Sequence, residues 1–548
     1  MIWVCLLLLA LVSLVAQCGS LWSALWILRF KSIRWQTVVS TSVVVSFSGV
    51  SVGGIALGLL YFAVIDESLA SLLIILLSLL AIALTVKLLK WQLETKTRWA
   101  ICALVLANII ALIPTFVLTT TFKMFVAETF VVPTNAMAPT IMGKHANILC
   151  VDGATVEVSA SHVIQQGRYV DSEINVICPC EETPSTALVP ADILEGDRIF
   201  VNKLDRTPVR WGLFVFNVEN NIKYIKRMIG LPGETVTIKR GEVYIDGALA
   251  QKPVDLHDQL WWPVSVLNQR PTALQDCRSW VAAEENSAWK QEQGVWQVKA
   301  TDTETLSFSG VITDRWCFNE RRRSLGGPKP FDVDDLCIDF TVDQFTGEGT
   351  FAYQADYRGH KLWWEFSATG DIVFRWKKII EPESGEDDEE ETSKTAKATP
   401  FAGSTLSIVL RDGRSYVLQD GELIAESTEL FAGNNLSMQD QSDSDSSNPG
   451  QSVFSLTAEN AEISIRDISV QRDVYYLSMT QMEANGAIGF THSSDGETWN
   501  LSDEQFFYLG DNSRSSLDSR FLDVQRPTSA IVGRLRNIYW PSERWRSF

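Results

Sequence analysis

The sequence predicts a multi-domain protein in which a region of four transmembrane helices precedes a mostly β portion, itself interrupted by a β-sandwich. Most of the apolar excess falls in the first 122 of the 548 residues. The later residues contain many short runs in which apolar and polar side chains alternate, which is typical of strands. A chain of this length is expected to form more than one domain.

Four apolar runs are each long enough to cross a bilayer as an α-helix. They cover about residues 3–28, 37–64, 69–89 and 99–122. The first run has neither a basic start nor a short apolar stretch ending at a small-residue cleavage site. It is therefore expected to be a retained span and not a removed signal peptide.

The charged residues between these runs predict their orientation. In chain order they are Arg29, Lys31 and Arg34, then Asp66 and Glu67, then Lys87, Lys90, Lys96 and Arg98. By the positive-inside rule, the two basic connections are cytoplasmic. We therefore expect a multi-pass protein of the cytoplasmic (inner) membrane, embedded in the lipid bilayer, whose residues after 122 face the extracytoplasmic side.

The net charge of −19 argues against a nucleic-acid partner. Nucleic-acid binding needs a basic surface that displaces counterions from phosphates, and no such excess of basic residues is present. No nucleic-acid partner and no cofactor are predicted.

A short alternating strand around Lys226 leads into Leu231-Pro-Gly-Glu234, whose Pro-Gly pair suits a type II turn. On a strand, Lys226 shares its face with Tyr224 and Met228, whereas Arg227 lies on the other face. A lysine between largely apolar neighbours loses hydration, which lowers its pKa and frees it to act as a general base. The alternative reading of this segment is a solvent-exposed lysine on an edge strand.

Four motifs occur in a fixed order along the expected extracytoplasmic portion. They are Pro133-Thr-Asn-Ala-Met-Ala-Pro-Thr140, Gly196-Asp-Arg-Ile-Phe-Val-Asn-Lys203, Tyr224-Ile-Lys-Arg-Met-Ile-Gly-Leu-Pro-Gly233 and Gly510-Asp-Asn-Ser-Arg-Ser-Ser-Leu-Asp-Ser-Arg520. In this order they resemble the nucleophile, strand, lysine and closing motifs of type I signal peptidases (bacterial leader peptidases). The resemblance implies a mostly β catalytic domain formed by residues 123–255 and 471–548.

The resemblance also implies a role for each matching residue. Lys226 corresponds to the general base, Thr134 to a hydroxyl that helps to form the oxyanion hole, and Ser516 to a serine that orients the lysine. The residues that match the family's bracing charges are Asp511, Asp518 and Arg520. A Ser–Lys pair needs no third residue to orient an imidazole, so these groups suffice for acyl transfer.

The position of the family's attacking serine is Ala136. A methyl group cannot attack a carbonyl, so catalytic competence is undetermined from the sequence. Four explanations stay open: a deliberate serine-to-alanine substitution, a subgroup of the family that carries alanine here, attack by Thr134, or direct activation of water by Lys226. Residual catalysis in hydrolases without their triad is about 10³–10⁴-fold over water, far below a full enzyme.

Three cysteines, Cys150, Cys178 and Cys180, lie between the first two motifs. Two Cys-x-x-Cys pairs would indicate a zinc ribbon, but here one pair has a single cysteine and the other is Cys-Pro-Cys. We expect a degenerate ribbon without metal. A disulfide from Cys150 to one of the other two is the alternative in an oxidising compartment.

Residues 256–470 depart from the family pattern and are expected to form an inserted β-sandwich. Alternating runs at 349–357, 361–366 and 404–410 are separated by turns. Asp-Gly pairs mark tight hairpins at 246–247, just before the insertion, and at 420–421 within it. The pattern resembles a concanavalin-like jelly roll.

Two acidic or serine-rich stretches of the insertion, 381–399 and 439–451, are expected to be mobile loops. Trp363 and Trp364 are expected to be exposed. A carbohydrate ligand, a protein ligand and a spacer with no ligand all stay open for this region.

The function that the resemblance implies is removal of signal peptides from secretory preproteins by a serine endopeptidase of the Ser/Lys type. The alternatives are a non-catalytic scaffold that binds signal peptides and a membrane-anchored module that binds carbohydrate or protein. The sequence does not indicate an oligomeric state.

Overall fold

The structure, a computed structural model, describes most of the chain. The described residues are 2–30, 33–45, 67–149, 155–160, 164–165, 168–169, 174–176, 185–187, 193–218, 222–266, 280–282, 286–308, 312–314, 331–379, 392–427, 454–477, 497–521 and 526–548. The chain divides into two compact units. One unit comprises Met1–Glu128 with Asn202–Leu204, and the other comprises Thr129–Val201 with Asp205–Phe548.

The first unit is helical. Its helices are α1 (Ile2–Ile27), α2 (Trp35–Val45), α3 (Glu67–Gln92) and α4 (Thr97–Phe125). Within the described residues, two helical stretches are long and apolar enough to cross a membrane, Ile75–Gln92 and Thr97–Phe125. A region of four spans is therefore not confirmed, and residues 46–66, which hold most of the second predicted span, lie outside the described residues.

Small side chains lie where the helices pack together. Ala24 of α1 and Ala100 and Ala103 of α4 are fully buried, whereas the large side chains of Leu112 and Phe116 are exposed. Small residues between helices and large apolar residues outside are typical of helices packed in a bilayer. This distribution agrees with the expected membrane region.

The remaining chain is built from strands. Those before the predicted insertion are β1 (Ala127–Val131), β2 (His145–Leu149), β3 (Thr155–Ser159), β4 (Ile164–Gln165), β5 (Arg168–Tyr169), β6 (Ile174–Val176), β7 (Ser185–Ala187), β8 (Arg198–Asn202), β9 (Leu213–Asn217), β10 (Lys223–Gly230), β11 (Thr235–Lys239), β12 (Glu242–Ile245) and β13 (Ala248–Leu249).

Further strands lie in the predicted insertion and after it. Those of the insertion are β14 (Trp261–Val266), β15 (Trp280–Ala282), β16 (Lys290–Glu292), β17 (Val295–Lys299), β18 (Glu304–Phe308), β19 (Leu336–Tyr357), β20 (His360–Ser367), β21 (Asp371–Lys378), β22 (Thr392–Lys397), β23 (Ser404–Arg411), β24 (Arg414–Gln419), β25 (Glu422–Ser427) and β26 (Phe454–Asp473). Those that follow are β27 (Glu497–Asn500), β28 (Gln505–Leu509), β29 (Arg526–Pro527), β30 (Ile531–Trp540) and β31 (Arg546–Ser547).

The strand that carries Lys226 lies inside a sheet with the order β1-β8-β30-β9-β10-β28-β29. β10 pairs antiparallel with β9 on one side and with β28 on the other. The edge-strand alternative for Lys226 is therefore wrong. Every residue of β10 from Lys226 to Gly230 is buried, so both faces of the strand are covered at this end.

Both predicted turns next to this sheet are present. Gly233 has φ +82°, and Glu234 N–H donates to the Leu231 carbonyl over 3.2 Å, as in a type II turn. At the β12–β13 hairpin, Asp246 and Gly247 have φ of +51° and +84°. Both positive values suit a two-residue hairpin turn, which is why an Asp-Gly pair occurs there.

The insertion forms one large sheet, and its strands contribute to a large hydrophobic core and to a smaller cluster around Trp261, Cys337 and Tyr416. Two long strands organise it, β19 with 22 residues and β26 with 20 residues, which pair antiparallel along most of their length. The prediction of short strands only is therefore wrong for these two. Their register shifts at three places, and such bulges bend strands so that a continuous sheet curls around a core.

Two further expectations for the insertion need correction. Residues 392–397, assigned to a mobile loop within 381–399, form β22 and pair with β21. Trp364, expected to be exposed, is buried in the core, and its Nε1–H donates to Ser415 Oγ over 2.7 Å. Trp363 alternates to the opposite face and is half-buried. The stretch 439–451 lies outside the described residues.

Candidate active site

The segment that contains Ala136 is a loop between β1 and β2 that its own side chains hold in place. Asn135 Oδ1 accepts a hydrogen bond from Gly143 N–H over 2.7 Å, and Asn135 Nδ2 donates to the Lys144 carbonyl over 2.8 Å. A Cβ added to Gly143 would lie 2.3 Å from the Thr134 carbonyl carbon. The loop therefore closes tightly, and it fixes the backbone at Thr134 and Ala136.

The closing motif, residues 510–520 after β28, forms hydrogen bonds to this loop. Asn512 N–H donates to the Ala136 carbonyl over 3.2 Å, and Asn512 Nδ2 donates to the Asn135 carbonyl over 3.0 Å. A Cβ added to Gly510 would lie 2.4 Å from the Ala136 carbonyl oxygen and 2.1 Å from Ser516 Oγ. Only glycine at 510 lets the Ser516 side chain and the Ala136 backbone approach this closely.

Lys226 is buried, with 4% of its surface exposed, and among the described residues its amine forms no ion pair. Burial lowers its pKa from 10.5 to about 8, because a charged amine loses hydration. The charges of Asp518 and Asp511 oppose this shift, and that of Arg520 adds to it. An amine with this pKa is neutral in about a tenth of the molecules at pH 7, far more than an ordinary lysine, and the neutral form is the one that a general base requires.

The Lys226 amine lies 5.8 Å from the centre of the Tyr224 ring, in agreement with the shared strand face.

Asp518 and Arg520 form a fully buried ion pair, with 2.7 Å between Asp518 Oδ2 and Arg520 Nη2. Arg520 also donates to the carbonyls of Leu477 and Ser513 over 2.7 and 2.8 Å. Burial alone would raise the pKa of Asp518, but Arg520, Lys226 and the Gly510 N–H together outweigh it and lower that pKa. The Asp518 carboxylate is therefore charged and is paired with Arg520.

Asp511 forms a second buried pair with Arg227, a residue that the sequence did not single out. Two hydrogen bonds of 2.8 and 2.7 Å join the guanidinium of Arg227 to the Asp511 carboxylate. Arg227 also donates to the Trp211 carbonyl and to Gln259 Oε1. Lys226 and Arg227 thus project to opposite faces of β10, one toward a cleft and the other into a bidentate pair.

Thr134, Ala136 and Lys226 all line one cleft with a volume of about 700 Å³. Its other walls are mostly apolar and include Phe130, Val132, Met137, Ile199, Ile225 and Leu517. Ser516 lies beside this cleft, buried, and its Oγ makes no hydrogen bond within the described residues. Its role in orienting Lys226 stays a prediction.

Three site residues were missed by sequence reasoning: Asn135, Arg227 and Asn512. Each lies inside one of the four motifs, and this position was the only indication in the sequence that the residue belongs to the site. The Asn135–Asn512 and Arg227–Asp511 contacts join residues 377 and 284 positions apart, so no local pattern could reveal them.

The metal candidates Cys150, Cys178 and Cys180 lie outside the described residues. Within the described part of the chain, two other groups have ligand atoms close enough to hold an ion. They are His257 with Cys337 and Asp339, and Glu242 with Asp335 and Asp412. Neither group lines the cleft.

Comparison with known proteins agrees with this geometry. The sequence model of the family described as "Signal peptidase, peptidase S26" matches residues 183–282 and 447–540. The match includes Lys226 and the closing motif but begins after Thr134 and Ala136. It also breaks between 282 and 447, within the predicted insertion.

Individual relatives give the same indication. The chain is 34% identical to a "Probable signal peptidase I-2" of Synechocystis over 76 residues, which are 12% of this chain and 34% of the relative. It is 36% identical to "Signal peptidase I" of Bacillus licheniformis over 63 residues, 11% of this chain and 34% of the relative. The matches thus span about a third of the length of these relatives.

Among solved structures, a carbohydrate-binding module, CBM66 from Bacillus subtilis, aligns with 36% of this chain and 97% of its own. The TM-score is 0.22 and the identity 11%. SCLam, described as a non-specific endo-β-1,3(4)-glucanase from family GH16, aligns with 44% of this chain and 97% of its own, with a TM-score of 0.25 and 10% identity. TM-scores this low establish neither a fold nor a ligand.

The motifs, the cleft at Lys226 and the relatives agree with the family match, and residues 183–282 and 447–540 are similar to the family described as "Signal peptidase, peptidase S26".

Proposed function

We propose that this protein is a membrane-bound endopeptidase of the signal peptidase I type that acts on secretory preproteins through the amine of Lys226. The observation that carries the proposal is a buried lysine, with its pKa lowered to about 8, in the same cleft as Thr134 and Ala136. A neutral amine in such a place is able to take the proton of an attacking hydroxyl without a histidine.

The cleft supports a peptide substrate. Its walls are mainly apolar, and the backbone of the Ala136 loop is held rigidly by Asn135 and Asn512. A rigid loop positions a scissile carbonyl reproducibly, which is a large part of catalysis. We expect the apolar segment before the cleavage junction of a preprotein to lie here, with a small residue at the junction itself.

The membrane helices provide the location in this proposal. The basic connections predict that the residues after 122 lie on the extracytoplasmic side of the cytoplasmic membrane. A translocated signal peptide ends on that side, still held in the bilayer. Anchoring the peptidase in the same membrane raises the effective concentration of the two partners.

The methyl group of Ala136 limits the chemistry. With no hydroxyl at this position, attack falls to water activated by Lys226 or to Thr134, and either route is expected to be slow. The second candidate function is a scaffold that binds signal peptides without cutting them, and Ala136 is the observation that favours it.

The test compares four forms of the purified full-length protein with a fluorogenic preprotein peptide: the parent, Ala136→Ser, Lys226→Ala and the double variant. We expect slow cleavage by the parent, loss of cleavage in Lys226→Ala, and an increase of more than about 100-fold in Ala136→Ser. Lys378→Ala, which changes an exposed lysine of the insertion, is the matched control and should cleave like the parent.

The outcomes separate the two candidate functions. Cleavage only after serine is introduced at 136 would favour the scaffold. Failure of Ala136→Ser to cleave, although the variant is folded and binds the peptide, would contradict the peptidase proposal. Cleavage that survives Lys226→Ala would remove Lys226 as the base.

A further inference from the structure

Three chemically different metal ligands meet in the insertion, away from the cleft: the imidazole of His257, the thiol of Cys337 and the carboxylate of Asp339. Their ligand atoms all lie within 4.8 Å of one another. This cluster is independent of the cysteines that the sequence suggested, and the role proposed for Lys226 does not use it.

The strand β19 places two of these ligands on one face. Cys337 and Asp339 are two residues apart, so their side chains point the same way, and Sγ lies 3.4 Å from Asp339 Oδ1. The other carboxylate oxygen, Oδ2, accepts hydrogen bonds from Gln471 Nε2 at 2.6 Å and from Ser469 Oγ at 3.3 Å, both on the paired strand β26. Metal-ligating carboxylates are commonly oriented by such outer hydrogen bonds.

The third ligand comes from the segment that enters the insertion. His257 follows a short 3-10 turn, Val254–Leu256, and its ring lies edge-on to Trp261 and Tyr416. Its Nδ1 is buried and has no hydrogen-bond partner within the described residues. A buried polar atom without a partner costs free energy, and an imidazole nitrogen beside a thiol and a carboxylate would gain a partner by binding a cation.

We propose that His257, Cys337 and Asp339 bind a Zn²⁺ ion. One nitrogen, one sulfur and one carboxylate oxygen form a mixed set that suits a borderline-soft ion such as zinc, and three protein ligands leave the fourth tetrahedral position for water or another ligand. Cys337 is fully buried, whereas His257 and Asp339 are half-buried, so an ion has a path from solvent.

One positive charge, that of Arg411, acts on both His257 and Cys337, and a carboxylate compensates it. Arg411 lies over the Trp261 ring at 4.6 Å, but its guanidinium is paired with the Asp473 carboxylate through hydrogen bonds of 3.1 and 2.9 Å. Because that positive charge already has a partner, the thiolate and carboxylate would supply a net negative site.

The second candidate group differs in this respect. Glu242 and Asp335 are both bound by Arg358, and Asp412 lies 2.5 Å from the amine of Lys252. These carboxylates already have cationic partners at salt-bridge distance, so an added ion would have to compete with Arg358 and Lys252.

The proposed ion would fasten the entering segment to the insertion. Its ligand His257 lies two residues before Gln259, whose Oε1 accepts from Arg227, the neighbour of Lys226. Zinc would therefore hold residues 254–261 against β19. We expect binding to raise the thermal unfolding midpoint of the full-length protein, since a ligand that binds only the folded state stabilises it.

The experiment measures bound metal per chain after the full-length protein is dialysed against ZnCl₂, and the thiolate charge-transfer absorption after Co²⁺ replaces Zn²⁺. The parent should bind zinc and show the band. Cys337→Ser should lose the band and at least about 100-fold in zinc affinity. A variant with Cys150, Cys178 and Cys180 all changed to serine is the matched control and should keep both.

The opposite pattern would overturn the proposal: unchanged zinc binding in Cys337→Ser, or loss only in the triple variant. Absence of zinc binding by the parent would do the same. If Cys337→Ser unfolds, the half-buried His257→Gln gives the same test. It should have the unfolding midpoint of the metal-free parent but should not gain stability when zinc is added.

Discussion

Two buried lysines in the same unit, Lys226 and Lys252, have nearly the same exposure, 4% and 3%, but their pKa values shift in opposite directions. The amine of Lys252 lies 2.5 Å from Asp412 and 2.8 Å from Asp473. Burial alone would lower its pKa, but the two carboxylates outweigh burial and raise it. Lys226 has no ion pair within the described residues, and its pKa falls to about 8.

The two pKa values differ because carboxylates contact the amine of Lys252 but not that of Lys226. Near Lys226, Asp518 is engaged by Arg520, and Asp511 by Arg227. Because these arginines occupy both carboxylates, the amine keeps the penalty of burial without a compensating contact. At Lys252, by contrast, Asp412 and Asp473 both contact the amine, although Asp473 also binds Arg411. Direct contact with a carboxylate therefore distinguishes the structural ion-pair network from the candidate site.

The largest expected effect is at Lys252. In Lys252→Met, Asp412 and Asp473 lose a shared cation while they stay buried, and removing one partner of a buried pair typically costs about 3–5 kcal/mol. The free energy of unfolding should fall by this amount and the thermal unfolding midpoint should drop, as followed by near-ultraviolet circular dichroism of the full-length protein in detergent. An unchanged midpoint would contradict the assignment of Lys252 to stabilising ion pairs with Asp412 and Asp473, and with it the reason given for the different pKa values of Lys252 and Lys226.

The next effect is at Lys226 and has the opposite sign. A depression of the pKa from 10.5 to about 8 costs about 3 kcal/mol of stability below pH 8, so Lys226→Met should be more stable than the parent at pH 7. The folded parent binds fewer protons than the unfolded chain between pH 8 and 10.5, so its stability rises over that window and the advantage of the variant shrinks. Equal stability of the two proteins at pH 7 would contradict the lowered pKa.

The smallest effect is a shift of a pH profile. Asp518 is the largest charge that raises the pKa of Lys226, so Asp518→Asn, placed in the Ala136→Ser background, should lower that pKa further. The rise of peptide cleavage with pH should then move to lower pH by about one unit. Asp371→Asn, at an exposed carboxylate of the insertion, is the control and should leave the profile in place. A shift to higher pH would refute the assigned role of Asp518.

The sequence allowed prediction of the parts that depend on local pattern or on a motif. The alternation around Lys226 and the Pro-Gly turn placed the lysine on a strand, and the Asp-Gly pairs located hairpins. The runs at 349–357 and 404–410 proved to be strands, because side-chain period and turn chemistry are written in neighbouring residues.

What the sequence did not reveal depends on contacts between distant residues. The partner of Arg227 is Asp511, 284 residues away, and the pairing of Lys252 with Asp412 spans 160 residues. The acidic composition of residues 381–391 favoured a loop that extends to 399, but pairing with β21 makes 392–397 a strand. Only the complete core shows that Trp364 faces inward. Tertiary contacts override local composition in these cases.

The hydrogen bond from Asn512 Nδ2 to the Asn135 carbonyl joins residues that are 377 positions apart. A ribosome therefore releases the loop that bears Ala136 long before the residues that hold it. Until the last part of the chain has emerged, the cleft lacks Ser515 and Leu517, which line it, and the Asn512 contacts that hold its loop. We therefore expect the cleft to be completed only late in the synthesis of the chain.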